Sequence, residues 1–325
     1  MKIISIENSH KRGWHIRLFG YPIPFINVPS MASRAFAKRF AGHKDHELKA
    51  ILECQYKEAF GHAPNLSNPK TFNEKLNWEK LNYRNQLMTI CADKVKSREY
   101  FRDKIPDADD KLVHQLGVFN SATDIDFDKL PNSFILKSNW GSGCQLFVRD
   151  KKNSNITAIR KAVSQWTEIT SNHYYNYFEW GYKDIPPKIV AEEILPFEYK
   201  IEFFCFNGTP RFFWIVIDDK TKSTAANFYN LDWSVINVQQ HYPNFTKKFT
   251  RPDNATFQHL IDISTTLAAP FPFVRCDYYK TNDGFRFSEM TFYHWGAYQP
   301  FVPESFDSTF GEMLTLPVNT TSNPL

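Results

Sequence analysis

Arg275, Asp277, Glu289 and Thr291 are the residues of this chain whose types and spacing could do chemistry, because one β-hairpin can gather all four. Two carboxylates held opposite one another repel. A hard divalent cation beside them relieves that repulsion and takes oxygen ligands, and an adjacent arginine offers a fork of donors to an anionic group. The hairpin itself is legible. Residues 273–280 have the aromatic and β-branched content of a strand, residues 281–284 (Thr-Asn-Asp-Gly) carry a turn signal, and residues 285–292 read as the return strand. A three-residue loop over Asn282, Asp283 and Gly284, with Gly284 left-handed, sets Thr281 against Phe285. Asp277 then lies opposite Glu289 and Arg275 opposite Thr291, all on one face. A two-residue loop over Asp283 and Gly284 instead pairs Asn282 with Phe285 and sends the carboxylates to opposite faces. The three-residue loop is the expectation. An exposed hairpin with its charges in water is the competing reading.

A second constellation is Lys137 with Gly141, Ser142 and Gly143. Glycines let backbone N–H groups approach phosphate oxygens closely, and a nearby lysine adds charge. The pattern is not a P-loop, since no G-K-[S/T] is present and a strand follows the glycines. It reads as a lid loop between antiparallel strands, or as an ordinary turn. Glu192 and Glu193 close one predicted strand, and Glu198 and Lys200 open the next. Charge at strand ends calls for partners, which ribose hydroxyls and phosphates, or water, would supply. His173, His241 and His294 lack the spacing of metal ligands and read as structural or exposed.

The elements that must position these residues follow from periodicity. Residues 1–30 look irregular, with Pro22, Pro24 and Pro29. Residues 31–41 read as a helix that packs on its neighbour or lays a basic amphipathic face on an anionic membrane. A helix runs from Asp45 to Gly61, a capping box at Thr71 and Glu74 opens the next, and residues 87–104 are helical. After Pro131 strands are expected at 133–137, 144–148, 188–194, 199–206 and 212–217. Helices are expected from Asn155 and, capped by Asn254, before the hairpin. The fold class is α+β with mainly antiparallel strands. The expected division is a helical region at 1–84, a body with the glycine loop at 85–195, and a body with the hairpin at 196–325.

Composition narrows the function classes. The chain has 325 residues, with 39 basic and 35 acidic side chains, so the charge of +4 gives no reason to expect nucleic acid. Five cysteines without C-x-x-C spacing indicate neither a zinc site nor a disulfide framework, and point to a reducing, cytoplasmic setting. No secretory signal is recognised, and no apolar run reaches the ~18–20 residues of a membrane span.

Taken in order, several segments resemble the TupA-like ATP-grasp family of bacterial surface-polysaccharide clusters. They are residues 68–76 (NPKTFNEKL), Asp93-Lys94, residues 134–143 (FILKSNWGSG), Glu192-Glu193, residues 199–208 (YKIEFFCFNG), residues 273–277 (FVRCD) and residues 289–292 (EMTF), spread over about residues 64 to 317. The resemblance implies an ATP-grasp fold with ATP and Mg2+ as cofactors. It implies that Lys137 holds phosphates under the lid of Gly141, Ser142 and Gly143. Glu192 and Glu193 would lie beside adenine, Glu198 near ribose, and Lys200 at the phosphates. Asp277 and Glu289, with Thr291 as a third candidate, would ligate magnesium, and Arg275 would lie alongside as an oxyanion donor. The family pattern E-x-N is here Glu289-Met290-Thr291, so Thr291 stands where an amide is usual, and residues 292–298 are bulkier than the small, Gly-rich stretch expected.

The implied activity is an ADP-forming carboxylate–amine ligase that joins an amino acid or amino group to a uronic acid or sugar-linked carboxylate. Partners would be those small molecules, with peripheral membrane contact through residues 31–41 and an oligomeric state that the sequence does not set. A glycosyltransferase and a non-catalytic nucleotide-binding protein are the rivals.

Overall fold

The computed structural model describes residues 4–9, 13–18, 21–22, 45–219 and 221–317. The helix expected at residues 31–41 lies outside the described residues. The chain divides into two compact units. One holds the described residues through 22 together with 92–96 and 113–195; the other holds 45–91, 97–112 and 196–317.

In the first unit the strands β1 (Ile4–Ser9), β2 (Gly13–Leu18) and β3 (Tyr21–Pro22) form an antiparallel meander where the sequence reads as irregular. A four-stranded antiparallel sheet follows, in the order β4 (Gln115–Phe119), β7 (Ile189–Glu192), β5 (Phe134–Ser138), β6 (Gln145–Val148). Its core is apolar: Phe134, Leu136, Leu146, Val148, Ile189 and Ala191 are buried with Ile159, Val163 and Trp166. The helix supplying Ile159 and Val163, Ile156–Ser164, begins where Asn155 accepts a hydrogen bond from the Ala158 amide.

The second unit is built on a six-stranded antiparallel sheet. Its order is β11 (Val235–Ile236), β10 (Ala225–Asn230), β9 (Thr209–Ile217), β8 (Tyr199–Phe206), β12 (Phe273–Thr281), β13 (Gly284–Thr291). Ile201, Phe203, Cys276 and Tyr278 share the face covered by the helix Asn254–Ala268, where Phe203 meets Phe257 and the Ser264 and Tyr278 hydroxyls lie 2.9 Å apart. That helix is capped by Asp253, whose side chain accepts from the Thr256 amide, rather than by Asn254. The expected capping box is present: the Glu74 amide donates to Thr71, and Glu74 accepts from the Thr71 amide, opening the helix Phe72–Asn82. Residues 87–104 are not one helix but two, Gln86–Ala92 and Lys96–Lys104.

The hairpin corrects the loop expectation. The loop is Asn282-Asp283, with Thr281 opposite Gly284, and not three residues. Thr281 tightens it through hydrogen bonds to Asp283 Oδ1 and the Gly284 carbonyl. A β-bulge then absorbs Ser288: Tyr278 still faces Phe287, but Asp277 faces Glu289 and Arg275 faces Thr291. The bulge restores the residue that the short loop removed. It lets Phe287 bury itself against Phe101 while Glu289 turns to the other face.

Candidate active site

Across the second unit's sheet, side chains directly opposite one another lie on the same face. Pairing therefore puts Trp214, Glu202, Asp277 and Glu289 in one row across β9, β8, β12 and β13. The next row is Phe212, Phe204, Arg275 and Thr291. Glu202 and Asp277 are each 1% exposed. Burying Glu202 and Asp277 beside a half-buried Glu289 is costly without countercharge, and two cations answer. Arg275 Nε lies 2.8 Å from Asp277 Oδ1 and 3.1 Å from Glu202 Oε2, and Nη2 donates to Asp277 Oδ2 at 2.6 Å. Lys200 Nζ sits 2.9 Å from Glu202 Oε1 and 3.4 Å from Asp219 Oδ2.

The electrostatics follow from that packing. Burial opposes the charge on Lys200, but Asp219 and Glu202 outweigh it and hold the ammonium well above its ordinary range. Burial likewise works against Arg275, and Asp277 and Glu202 more than compensate. Burial pushes the Asp277 carboxyl up to about 8; Arg275 pulls it down, while Glu202 and Glu289 add to the rise. Four carboxyl groups (Glu202, Asp219, Asp277 and Glu289) thus gather with the two cations Lys200 and Arg275 on this face of the sheet.

An all-oxygen donor set fits a hard divalent ion. Among the described residues no three His, Cys, Asp or Glu side chains converge as a metal cage. Magnesium characteristically takes one or two protein carboxylates and completes its octahedron with water and phosphate oxygens. Asp277 and Glu289, neighbours across β12 and β13, are the residues that would hold it. The hydroxyl of Thr291, the third candidate ligand, lies 3.4 Å from Arg275 Nη2.

In the first unit Lys137 and Glu192 project from one face of the β5–β7 pair, and Lys137 Nζ lies 2.5 Å from Glu192 Oε2. The glycine loop joins β5 to β6. The Ser142 amide donates to His173 Nε2 at 3.1 Å, His173 Nδ1 lies 3.3 Å from the buried Glu179, and Lys94 Nζ donates to the Gly141 carbonyl at 2.7 Å. A Cβ on Gly141 would stand 2.9 Å from His173 Cδ2 and 3.2 Å from the Ser171 carbonyl oxygen, so packing requires glycine there; Gly143 is left-handed at φ 83°. Glu193 pairs with His114 at 2.9 Å. Glu198, in the second unit, accepts from the Thr250 amide at 3.0 Å with one carboxylate oxygen.

Sequence reasoning did not place Glu202 and Asp219 in this cluster. The alternation of Lys200, Ile201 and Glu202 already placed Lys200 and Glu202 on one strand face, a signal within reach. Nothing local indicated that β8 would lie beside β12. Of the two alternatives for His294, structural or exposed, the structure shows a fully buried ring, with Nδ1 2.6 Å from Arg275 Nη1.

The family model for TupA-like ATP-grasp proteins matches residues 74–315. The chain belongs to the TupA-like ATP-grasp family. The α+β architecture with antiparallel sheets is accordingly that of an ATP-grasp protein. No curated protein matches the sequence. Among solved structures the chain is similar to D-alanine–D-alanine ligase from Bacillus anthracis, at 16% identity and a TM-score of 0.39, over 62% of this chain and 57% of that one. It is similar to N5-carboxyaminoimidazole synthase from Aspergillus clavatus, at 11% identity and a TM-score of 0.36, over 66% of this chain and 46% of that one. The ATP-grasp ligase PsnB, in complex with a precursor variant, Mg and ADP, is similar at 10% identity and a TM-score of 0.39, over 90% and 78%. The chain thus spans about half the length of the first two. Among the described residues no helix is long and apolar enough to cross a membrane.

Proposed function

We propose that the protein is an ATP-dependent carboxylate–amine ligase. The observation that carries the reading is Arg275, a buried cation fixed on both edges beside a cluster of carboxyl oxygen donors. Family membership supplies the ATP-grasp context.

In this reading Lys137 and the loop of Gly141, Ser142 and Gly143 lie against phosphate oxygens, a charge-assisted contact that needs no sequence beyond a lysine and close-approaching backbone. Glu192 and Glu193 lie beside the base and Glu198 near the ribose. Lys200 and Arg275 take negative charge on the transferring phosphoryl group. Magnesium, held by Asp277 and Glu289, would neutralise phosphate charge. The substrate carboxylate displaces ADP from the γ-phosphorus to give an acyl phosphate. The amine then adds at the acyl carbon and expels phosphate, losing a proton as the amide forms, and Arg275 stabilises the oxyanion of that addition. The acid is proposed to be a uronic acid or sugar-linked carboxylate and the amine that of an amino acid, a choice supported by the family resemblance. A cytoplasmic setting belongs to the same proposal.

The test is nucleotide turnover. ADP and phosphate should form together only when carboxylate and amine are both supplied. Consumption of a nucleotide sugar, or stabilisation by UDP- or GDP-sugars with none by MgATP, would establish the transferase rival instead.

A further inference from the structure

The turn after β13 is where this chain departs from the small, Gly-rich stretch expected of its family. Trp295, Gly296 and Ala297 are all left-handed, at φ 51°, 61° and 59°. Two of them carry side chains, and each such conformation costs roughly 1–3 kcal/mol unless its surroundings enforce it. The helix Phe72–Asn82 does the enforcing. Its Lys80, 2% exposed, donates to the Gly296 carbonyl at 2.5 Å and lies 4.0 Å over the Tyr298 ring; its Asn77 donates to the Ala297 carbonyl at 2.9 Å.

What the braced turn delivers is one imidazole. His294 is wholly buried, with its ring edge-on to Phe204 and Trp214. Burial, with Arg275 and His241 adding to it, drives its pKa well below the ordinary range, so the ring is neutral. Arg275 Nη1 can only donate, so Nδ1 accepts. Nε2 must then carry the proton, which it gives to Gln240 Oε1 at 2.6 Å, and Gln240 Nε2 donates in turn to the Gln299 carbonyl at 2.8 Å. Asp277 grips the Nε and Nη2 edge of the guanidinium while His294 grips Nη1. A neutral acceptor fixes the plane without cancelling charge, which a further carboxylate would do.

We propose that His294 is a positioning residue for Arg275, setting the guanidinium plane in which it meets the transferring phosphoryl group. The inference rests on the ligase reading above. The strained turn and its brace on Lys80 and Asn77 are the means of holding that ring.

The probe is MgADP with aluminium fluoride, which mimics the planar phosphoryl group and needs no acceptor, against MgADP alone, by calorimetry. The proteins are wild type, His294→Leu, His294→Gln and Gln240→Met, with folding checked by circular dichroism. Wild type should prefer the fluoride complex by about tenfold or more, the scale of one well-placed donor. His294→Leu should keep MgADP affinity within about threefold and lose most of the preference. His294→Gln, which can accept from Arg275 and donate to Gln240, should regain it. Gln240→Met leaves the imidazole in place without its Nε2 partner; it should fall between and decides the matter if His294→Leu does not fold. A preference unchanged in His294→Leu and Gln240→Met, one absent in wild type, or a parallel loss of MgADP and fluoride-complex affinity would overturn the assignment. Wild type that binds no MgADP at all would instead overturn the ligase reading and the clamp's purpose with it.

Discussion

Arg275→Met should destabilise the protein by about 3–5 kcal/mol, the range for removing one partner of a buried ion pair. The cause would be a buried carboxyl group left without its partner, and lost packing would contribute little. Met replaces the arginine stem with similar volume, but Asp277 and Glu202, each 1% exposed, would remain buried, with Lys200 still beside Glu202 and the Arg275 pairing of Asp277 gone. Since a whole domain holds roughly 5–15 kcal/mol, the variant should sit near the edge of folding. The separating experiment is a double-mutant cycle with Asp277→Leu. If the unpartnered carboxyl group is the cause, the double variant should be more stable than Arg275→Met alone, with a coupling of about 2 kcal/mol or more. Urea unfolding at pH 7.5, followed by tryptophan fluorescence and circular dichroism together, gives the four stabilities and reveals whether the two compact units unfold as one transition. Additivity within about 0.5 kcal/mol would refute the reasoning, because Arg275 would then contribute only through its own contacts.

Lys137→Ala should abolish most of the melting-temperature rise that MgATP produces, about 2.7 kcal/mol of stabilisation at a hundredfold excess over Kd; an undiminished rise would remove Lys137 from the phosphate site. Burial raises the Asp307 carboxyl to about 6, above its unfolded value of about 3.9, so the folded state holds the proton more tightly. Its contribution is therefore full below pH ~4 and lost as pH climbs to 6, a slope worth about 3 kcal/mol in total. Asp307→Asn, which can still accept from Asn73, should flatten that slope in urea titrations between pH 4 and 6. Thr71→Ala removes the oxygen that caps Glu74 N and should cost about 1 kcal/mol, read from the urea midpoint.

The capping box at Thr71 and Glu74 and the pairing of Asp277 with Glu289 were readable from the chain alone, for one reason: each depends on residues close in sequence. A cap is satisfied within one helical turn, and a hairpin's facing pairs follow from alternation once its turn is located. Even so, the loop came out a residue short. Burial of Phe287 with Tyr278 set the outer register, and a bulge at Ser288 reconciled it with the inner one. The resemblance drew attention to residues 68–76, but a motif does not state its purpose. Only the folded chain showed Lys80 and Asn77 bracing the turn that carries His294. Likewise Glu202 joins Asp277 because β8 happens to lie beside β12, and Asp219 joins through Lys200. Strand neighbours far apart in sequence, and the countercharges their burial demands, depend on which surfaces can be packed together without stranding a charge. That is a condition on the whole sheet, and no local stretch of sequence contains it.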